Sequence, residues 1–270
     1  MAPTGSRSSH SLDLVVCLGD SLTQRGWSVA HSGWVAQLSE AYARRLDVVN
    51  RGYGGFNSRW GAEIMPRVMP AYASSDGGRP RMRLLTVFFG ANDAQYEGYR
   101  AHVPLDEYQA NLERIIDAVR SPRSLLYSPD TRILLITPPP LGDKLYAEYE
   151  NPDYGLRKVI ERDHATSARY VEAARATAAR LGLVCVDLFA AIEARVAAAR
   201  AASSSKYDGY DEFLLDGLHL NAAGNQLLFD LVTDAISANF PELHPDAMPF
   251  VVPAFRDFNS FEELRQMMDS

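Results

Sequence analysis

Leu14-Val15-Val16-Cys17-Leu18-Gly19-Asp20-Ser21-Leu22 is the stretch on which the reading of this chain turns. Its first five residues are apolar without period-two alternation. Strands covered on both faces, as in a parallel sheet, have that pattern. The run stops at Gly19, which permits a tight turn that a side chain would hinder. Ser21 then stands where a helix should open. Four more runs of the same character follow at 48–50, 84–89, 133–137 and 183–186, and most of the five end in Gly, Asn or Pro.

Helical periodicity fills the intervals. Leu105, Tyr108, Leu112, Ile115, Ile116 and Val119 form one apolar stripe. Residues 33–46, 159–181 and 188–202 also read as helices. Asn221 reads as the cap of a last core helix that buries Leu227, Leu228, Leu231, Val232 and Ile236. Strand and helix alternate throughout. The expected fold is therefore α/β, a three-layer α/β/α sandwich around a parallel five-stranded sheet with right-handed crossovers. In such sheets the working site lies at the carboxyl ends of the strands. Residues 138–154, opening on three prolines, read as a loop over that edge.

The 270 residues, 47% hydrophobic, suit one large domain over 12–270, with 1–11 as a flexible leader. The segment 241–270, with prolines at 241, 245, 249 and 253, reads as an extension packed on that domain. A net charge of −7 argues against nucleic acid as a partner, because phosphate binding wants a basic face. Cys17 and Cys185 lie in apolar runs and read as buried thiols in a reducing compartment, without metal-ligand spacing. No apolar stretch precedes Leu12, which argues against a secretory signal, although Arg7 and the serines leave a short organellar address open. No run approaches the roughly 20 apolar residues of a membrane span. The expectation is a soluble, cytoplasmic protein whose oligomeric state is open, a homo-oligomer included.

Ser21 admits three readings: a helix cap, part of a phosphate cradle, or a nucleophile whose own N–H faces a developing oxyanion. Asp216-Gly217-Leu218-His219 favours the third. A three-residue offset in a turn or helix puts both side chains on one side. His219 could then take the serine proton while Asp216 fixes its tautomer. His10, His31, His102, His164 and His244 lack that combination of a nearby acid and a helix start. Donors for an oxyanion are available in Asn50-Arg51-Gly52-Tyr53-Gly54-Gly55-Phe56-Asn57 and in Gly90-Ala91-Asn92-Asp93, where Asn92 carries a side-chain amide.

These blocks together resemble the SGNH, or GDSL-type, hydrolase family. Gly19-Asp20-Ser21-Leu22 matches its first block and Asp216-Gly217-Leu218-His219 its last, while Ala91 stands where a second glycine is common. Asn50-Arg51-Gly52, Ser58-Arg59-Trp60, Thr137-Pro138-Pro139-Pro140 and the proline-rich C-terminal segment are similar to the isoamyl-acetate-hydrolysing esterase branch. The resemblance implies a flavodoxin-like sheet, no metal or other cofactor, and hydrolysis of short-chain, small-molecule esters. It implies Ser21, Asp216 and His219 as the triad. Ser21, Asn92 and Gly55 would form the oxyanion hole, with Gly54 the alternative to Gly55. Deacetylation of a sugar or metabolite, or a binding module on the same fold, are the competing readings. Tyr96, Tyr99, Leu141 and Tyr146 are candidates for the pocket lining.

Overall fold

The structure, a computed structural model, describes residues 12–69, 80–149, 159–202 and 205–269. The expected leader 1–11 lies outside the described residues, as does the end of the 138–154 segment. Each of the five apolar runs forms a strand: β1 (Asp13–Gly19), β2 (Leu46–Gly52), β3 (Met82–Phe88), β4 (Arg132–Ile136) and β5 (Val184–Val186). They pair in parallel in the order β2-β1-β3-β4-β5. β1 shows why its sequence lacks alternation. Val15 and Cys17 face one core, while Leu14, Val16 and Leu18 face the other.

Helices α2 (Trp34–Ala41), α7 (Leu188–Ala202) and α8 (Ala222–Asn239) cover the first face. Helices α3 (Ser58–Val68), α4 (Leu105–Arg120) and α6 (His164–Leu181) cover the second, with α4 packed between α3 and α6. The α4 stripe read from the sequence faces the core: Tyr108, Leu112, Ile115, Ile116 and Val119 are buried in it, and Leu105 packs against it partly buried. Asn221 caps α8 as expected, accepting from the N–H of Gly224 at 3.0 Å. The architecture is the three-layer α/β sandwich that the alternation of patterns implies.

Three local expectations need correction, and one helix had no counterpart in the sequence pattern. The helix expected over 33–46 stops at Ala41, because Tyr42 to Arg45 turn the chain, Arg44 in a left-handed conformation (φ 68°), so that Leu46 opens β2. The helix expected from 159 begins at His164, where Asp163 caps it by accepting from the Thr166 N–H at 2.6 Å. Helix α3 was not read at all. Its buried Ala62 and Met65 are interleaved with exposed Arg59, Glu63, Pro66 and Arg67, and an internal proline signals a helix break. Within the expected 138–154 loop, Asp143–Glu148 forms a short helix, α5. The remaining helices are α1 (Ser21–Gln24) and α9 (Phe261–Asp269).

The segment after α8 is fastened to the α2–β2 turn. Tyr42 Oη donates to the Leu243 carbonyl at 2.7 Å, Arg45 Nε to that of Met248 at 3.0 Å, and Arg44 Nη2 to those of Val252 and Pro253. Both cysteines are free thiols. Cys17 is fully buried, which pushes its thiol up to about 12, and Cys185 is half-buried. Among the described residues no helix is long and apolar enough to cross a membrane.

Asn57 ties α3 to the rest: its Oδ1 accepts from the Trp60 N–H at 3.0 Å and its Nδ2 donates to the Ala101 carbonyl at 2.9 Å. Loss of a helix N-cap costs about 1 kcal/mol, with more expected here because a buried carbonyl is also orphaned. Asn57→Ala is expected to lower the urea midpoint by an amount equivalent to about 2 kcal/mol. An unchanged midpoint would contradict the capping account.

Candidate active site

β1, β2 and β3 end level with one another, Gly19 pairing with Gly52 on one side and Phe88 on the other. Their following loops therefore open onto the same edge of the sheet. Asp20 starts α1 by accepting from the Leu22 N–H at 2.8 Å, which leaves Ser21 as the first helical residue with its own N–H outside the helical ladder. Gly52 is required by crowding. A Cβ there would fall 2.0 Å from the Gln24 nitrogen. Asn50 stitches the same contact, donating to the Thr23 carbonyl at 2.7 Å and accepting from the Gly52 N–H at 2.8 Å.

The structure brings Ser21, His219 and Asp216 together. Ser21 Oγ lies 2.9 Å from His219 Nε2, and His219 Nδ1 lies 2.8 Å from Asp216 Oδ2. This order fits a histidine carrying its proton on Nδ1, a tautomer assigned from the hydrogen-bond network. The other carboxylate oxygen of Asp216 accepts from the N–H groups of Leu218 and His219 at 3.0 and 2.8 Å. Burial would raise this carboxyl, but the hydrogen bond and charge of His219, with the two N–H donors, hold it well below the usual carboxylate range. The turn is closed by the Leu215 N–H on the His219 carbonyl at 2.7 Å and by Gly217 in a left-handed conformation (φ 85°).

The second block lies against the same serine, and the third is bonded to the second. A Cβ on Gly54 would come 3.9 Å from that of Ser21. The Gly54 N–H is taken, donating to Gln24 Oε1 at 2.6 Å. Gly55 follows with φ 77°, exposed and with open space where a Cβ would stand, and its N–H has no acceptor among the described residues. Asn92 is buried, and its Nδ2 donates to the Phe56 carbonyl at 2.9 Å. An amide nitrogen carries two protons, so one remains. Gln24 is a site residue that sequence reading missed. Only its place one turn after Ser21 could have suggested it.

Residues 17–227 match the GDSL-like lipase/acylhydrolase family. The chain belongs to that family. Within it, a GDSL esterase/lipase of Arabidopsis thaliana is 36% identical over 244 residues, covering 88% of this chain and 90% of the relative. An isoamyl acetate-hydrolyzing esterase 1 homolog of Bos taurus is 33% identical over 247 residues, covering 90% and 87%. Among solved structures, an acetyl xylan esterase superposes with a TM-score of 0.62 at 16% identity, over 83% of this chain and 99% of that one. A lipase/acylhydrolase from Enterococcus faecalis gives 0.57 at 22% identity, over 84% and 96%. At those identities the structural matches speak for the fold. As a GDSL-family member the protein is a carboxylic ester hydrolase.

Two further carboxyls of the GDSL site are fully buried. Burial pushes Asp20 up to about 7, opposed by the Leu22 N–H, assisted by the charge of Asp93 and eased by that of Arg162. Asp93 is raised by burial to about 6 although Ser58 donates to it from both N–H and Oγ. Of the four candidates for the pocket lining, Leu141 and Tyr146 are buried in the core. Tyr99 is exposed and Tyr96 half-buried.

Because the Asp20 carboxyl is raised in the folded state, its contribution to stability is full below the unfolded value near about 3.9. That contribution is lost as pH rises through about 7. Asp20→Asn keeps an Oδ1 acceptor for Leu22 and removes the ionisation. The melting temperature of this variant relative to the parent should therefore rise between pH 5 and pH 8, on the order of a few degrees per kcal/mol. A difference independent of pH would rule out the buried ionisation.

Proposed function

We propose that this protein hydrolyses short-chain, acetyl-type carboxylic esters by two-step acyl transfer, with Ser21 as nucleophile, His219 as general base and acid, and Asp216 as the carboxylate that orients it. The observation that carries the reading is the unbroken hydrogen-bond chain from Ser21 Oγ to His219 to Asp216, at 2.9 and 2.8 Å. His219 Nε2 takes the Ser21 proton as Oγ attacks the ester carbonyl. The imidazolium so formed is stabilised by Asp216. It returns the proton to the departing alkoxide, which leaves as the alcohol. Water then repeats the sequence on the acyl-enzyme and releases the acid.

The charge that develops on the carbonyl oxygen needs preorganised donors. The Ser21 N–H, the Gly55 N–H and the second Asn92 amide proton fill that role in this reading. Gln24 supports Gly55 over Gly54, because it occupies the Gly54 N–H. The short acyl preference draws on relatives named for isoamyl acetate hydrolysis at about one-third identity.

On p-nitrophenyl acetate, Ser21→Ala is expected to lose turnover and labelling by a fluorophosphonate probe together. Retained labelling at any level close to the parent would exclude Ser21 as nucleophile. Asn92→Ala should lower kcat by roughly 10²–10³ while the fold survives. In an acyl series from acetate to decanoate, kcat/KM should fall with chain length; a maximum at decanoate would overturn the short-chain preference.

A further inference from the structure

Arg162 is a buried guanidinium that the proposed mechanism leaves unused. Its side chain is only 4% exposed, and it stands just before the Asp163 cap of α6. Burying a charge is costly, and an apolar side chain of similar volume would pack as well or better. The donors of Arg162 have definite targets. Nη1 donates to the Ala91 carbonyl at 2.5 Å, while Nε and Nη2 reach Glu161 Oε1 at 3.2 and 3.1 Å. Its charge also acts on the buried Asp20 carboxyl beside Ser21.

Glu161 extends the brace in two directions. Its carbonyl accepts from the Tyr96 N–H at 2.7 Å, fixing the loop just beyond Asn92. Its Oε1 accepts from Tyr146 Oη at 2.5 Å, and the Tyr146 ring lies 5.9 Å from the Arg162 guanidinium. Tyr146 in turn packs against the His219 turn: a Cβ on Gly217 would fall 2.5 Å from the Tyr146 nitrogen. The Gly142 N–H secures the same turn by donating to the Gly217 carbonyl at 2.9 Å. One short segment, 161–162, thus touches the loop that carries Asn92 directly and reaches the His219 turn through Tyr146.

We propose that Arg162, braced by Glu161 and Tyr146, is a positioning residue that locks the Ala91–Asn92 peptide, and with it the Asn92 amide, in the orientation the oxyanion requires. The inference rests on the esterase reading above. The Ala91 carbonyl belongs to the peptide plane whose nitrogen is that of Asn92, so holding it restricts the backbone angle that aims the amide. Misplacement of a catalytic donor by about 1 Å can cost on the order of 10²-fold in rate. Because the donor acts on developing charge, its loss should fall on kcat and spare KM.

The test is steady-state hydrolysis of p-nitrophenyl acetate by Arg162→Met and Tyr146→Phe, with circular dichroism as the control for folding. Arg162→Met should lose kcat by about 10- to 100-fold with KM within about twofold. Tyr146→Phe, which keeps the ring and removes one donor to Glu161, should lose kcat by a few-fold in the same sense. A folded Arg162→Met with wild-type kcat, or with the loss confined to KM, overturns the proposal. Should Arg162→Met fail to fold, Tyr146→Phe decides, and an unchanged kcat there overturns it. A wild-type protein that neither hydrolyses esters nor labels at Ser21 would sink the esterase reading instead. In that event amide exchange over residues 90–96 still tests the brace, since unchanged protection in Arg162→Met, or in Tyr146→Phe if that variant alone folds, would refute it.

Discussion

The pairing of β1 with a parallel neighbour on each edge is the constraint from which the site follows. Backbone hydrogen bonds fix the register of Gly19 against Gly52 and Phe88, so three chain segments leave the sheet at one level. A parallel sheet has its return connections elsewhere, which keeps this edge open for loops. The absence of a Cβ at Gly52 then lets β2 and α1 approach within contact of one another. The loops that carry Ser21, Gly55 and Asn92 leave one edge because their strands are in register, and Asn50, Gln24 and Asn92 stitch them further.

His219 reaches the same edge by a different route. It lies 198 residues from Ser21 in sequence, and its turn is held by Asp216 from within and by Gly142 and Tyr146 from outside. The carboxylates around the site divide by the balance of donors against desolvation. Asp216 is buried but receives His219 and two backbone N–H groups, and it remains ionised well below the ordinary range. Asp20 has the Leu22 N–H on Oδ1, with Oδ2 unpartnered among the described residues, and burial raises it. Asp93 receives two donors from Ser58, the N–H shared between both its oxygens and the Oγ, and is raised all the same, because its burial is complete. An ionised carboxylate that orients histidine and raised carboxyls that shape the adjoining loops can therefore coexist within one small site.

Legibility in the sequence followed burial symmetry. The strands were readable from short apolar runs, clearest in β1, which is covered on both faces, and α4 was readable because its stripe faces one core along its whole length. Helix α3 was hidden by Pro66 and by the charged residues that alternate with Ala62 and Met65. The end of α2 was overrun because Leu46 keeps helical spacing while belonging to β2. Leu141 and Tyr146, read as candidate pocket residues from their place in a proline-rich segment, turned inward to fill the core instead. In the site, Ser21, Asp216 and His219 were legible as short motifs, since local turns dictate their neighbours.

By itself, then, the sequence determined the strand-helix alternation, the position of Ser21 after β1 and the local pairing of Asp216 with His219. Each of these depends on residues within a few positions of one another, where backbone geometry limits the outcomes. The tertiary structure decided the geometry at which His219 meets Ser21, and it alone decided that Gln24 occupies Gly54 and leaves Gly55 free and that Arg162 is buried against Ala91. Those contacts join segments separated by tens to hundreds of positions, and only the packing of a closed core fixes such distances.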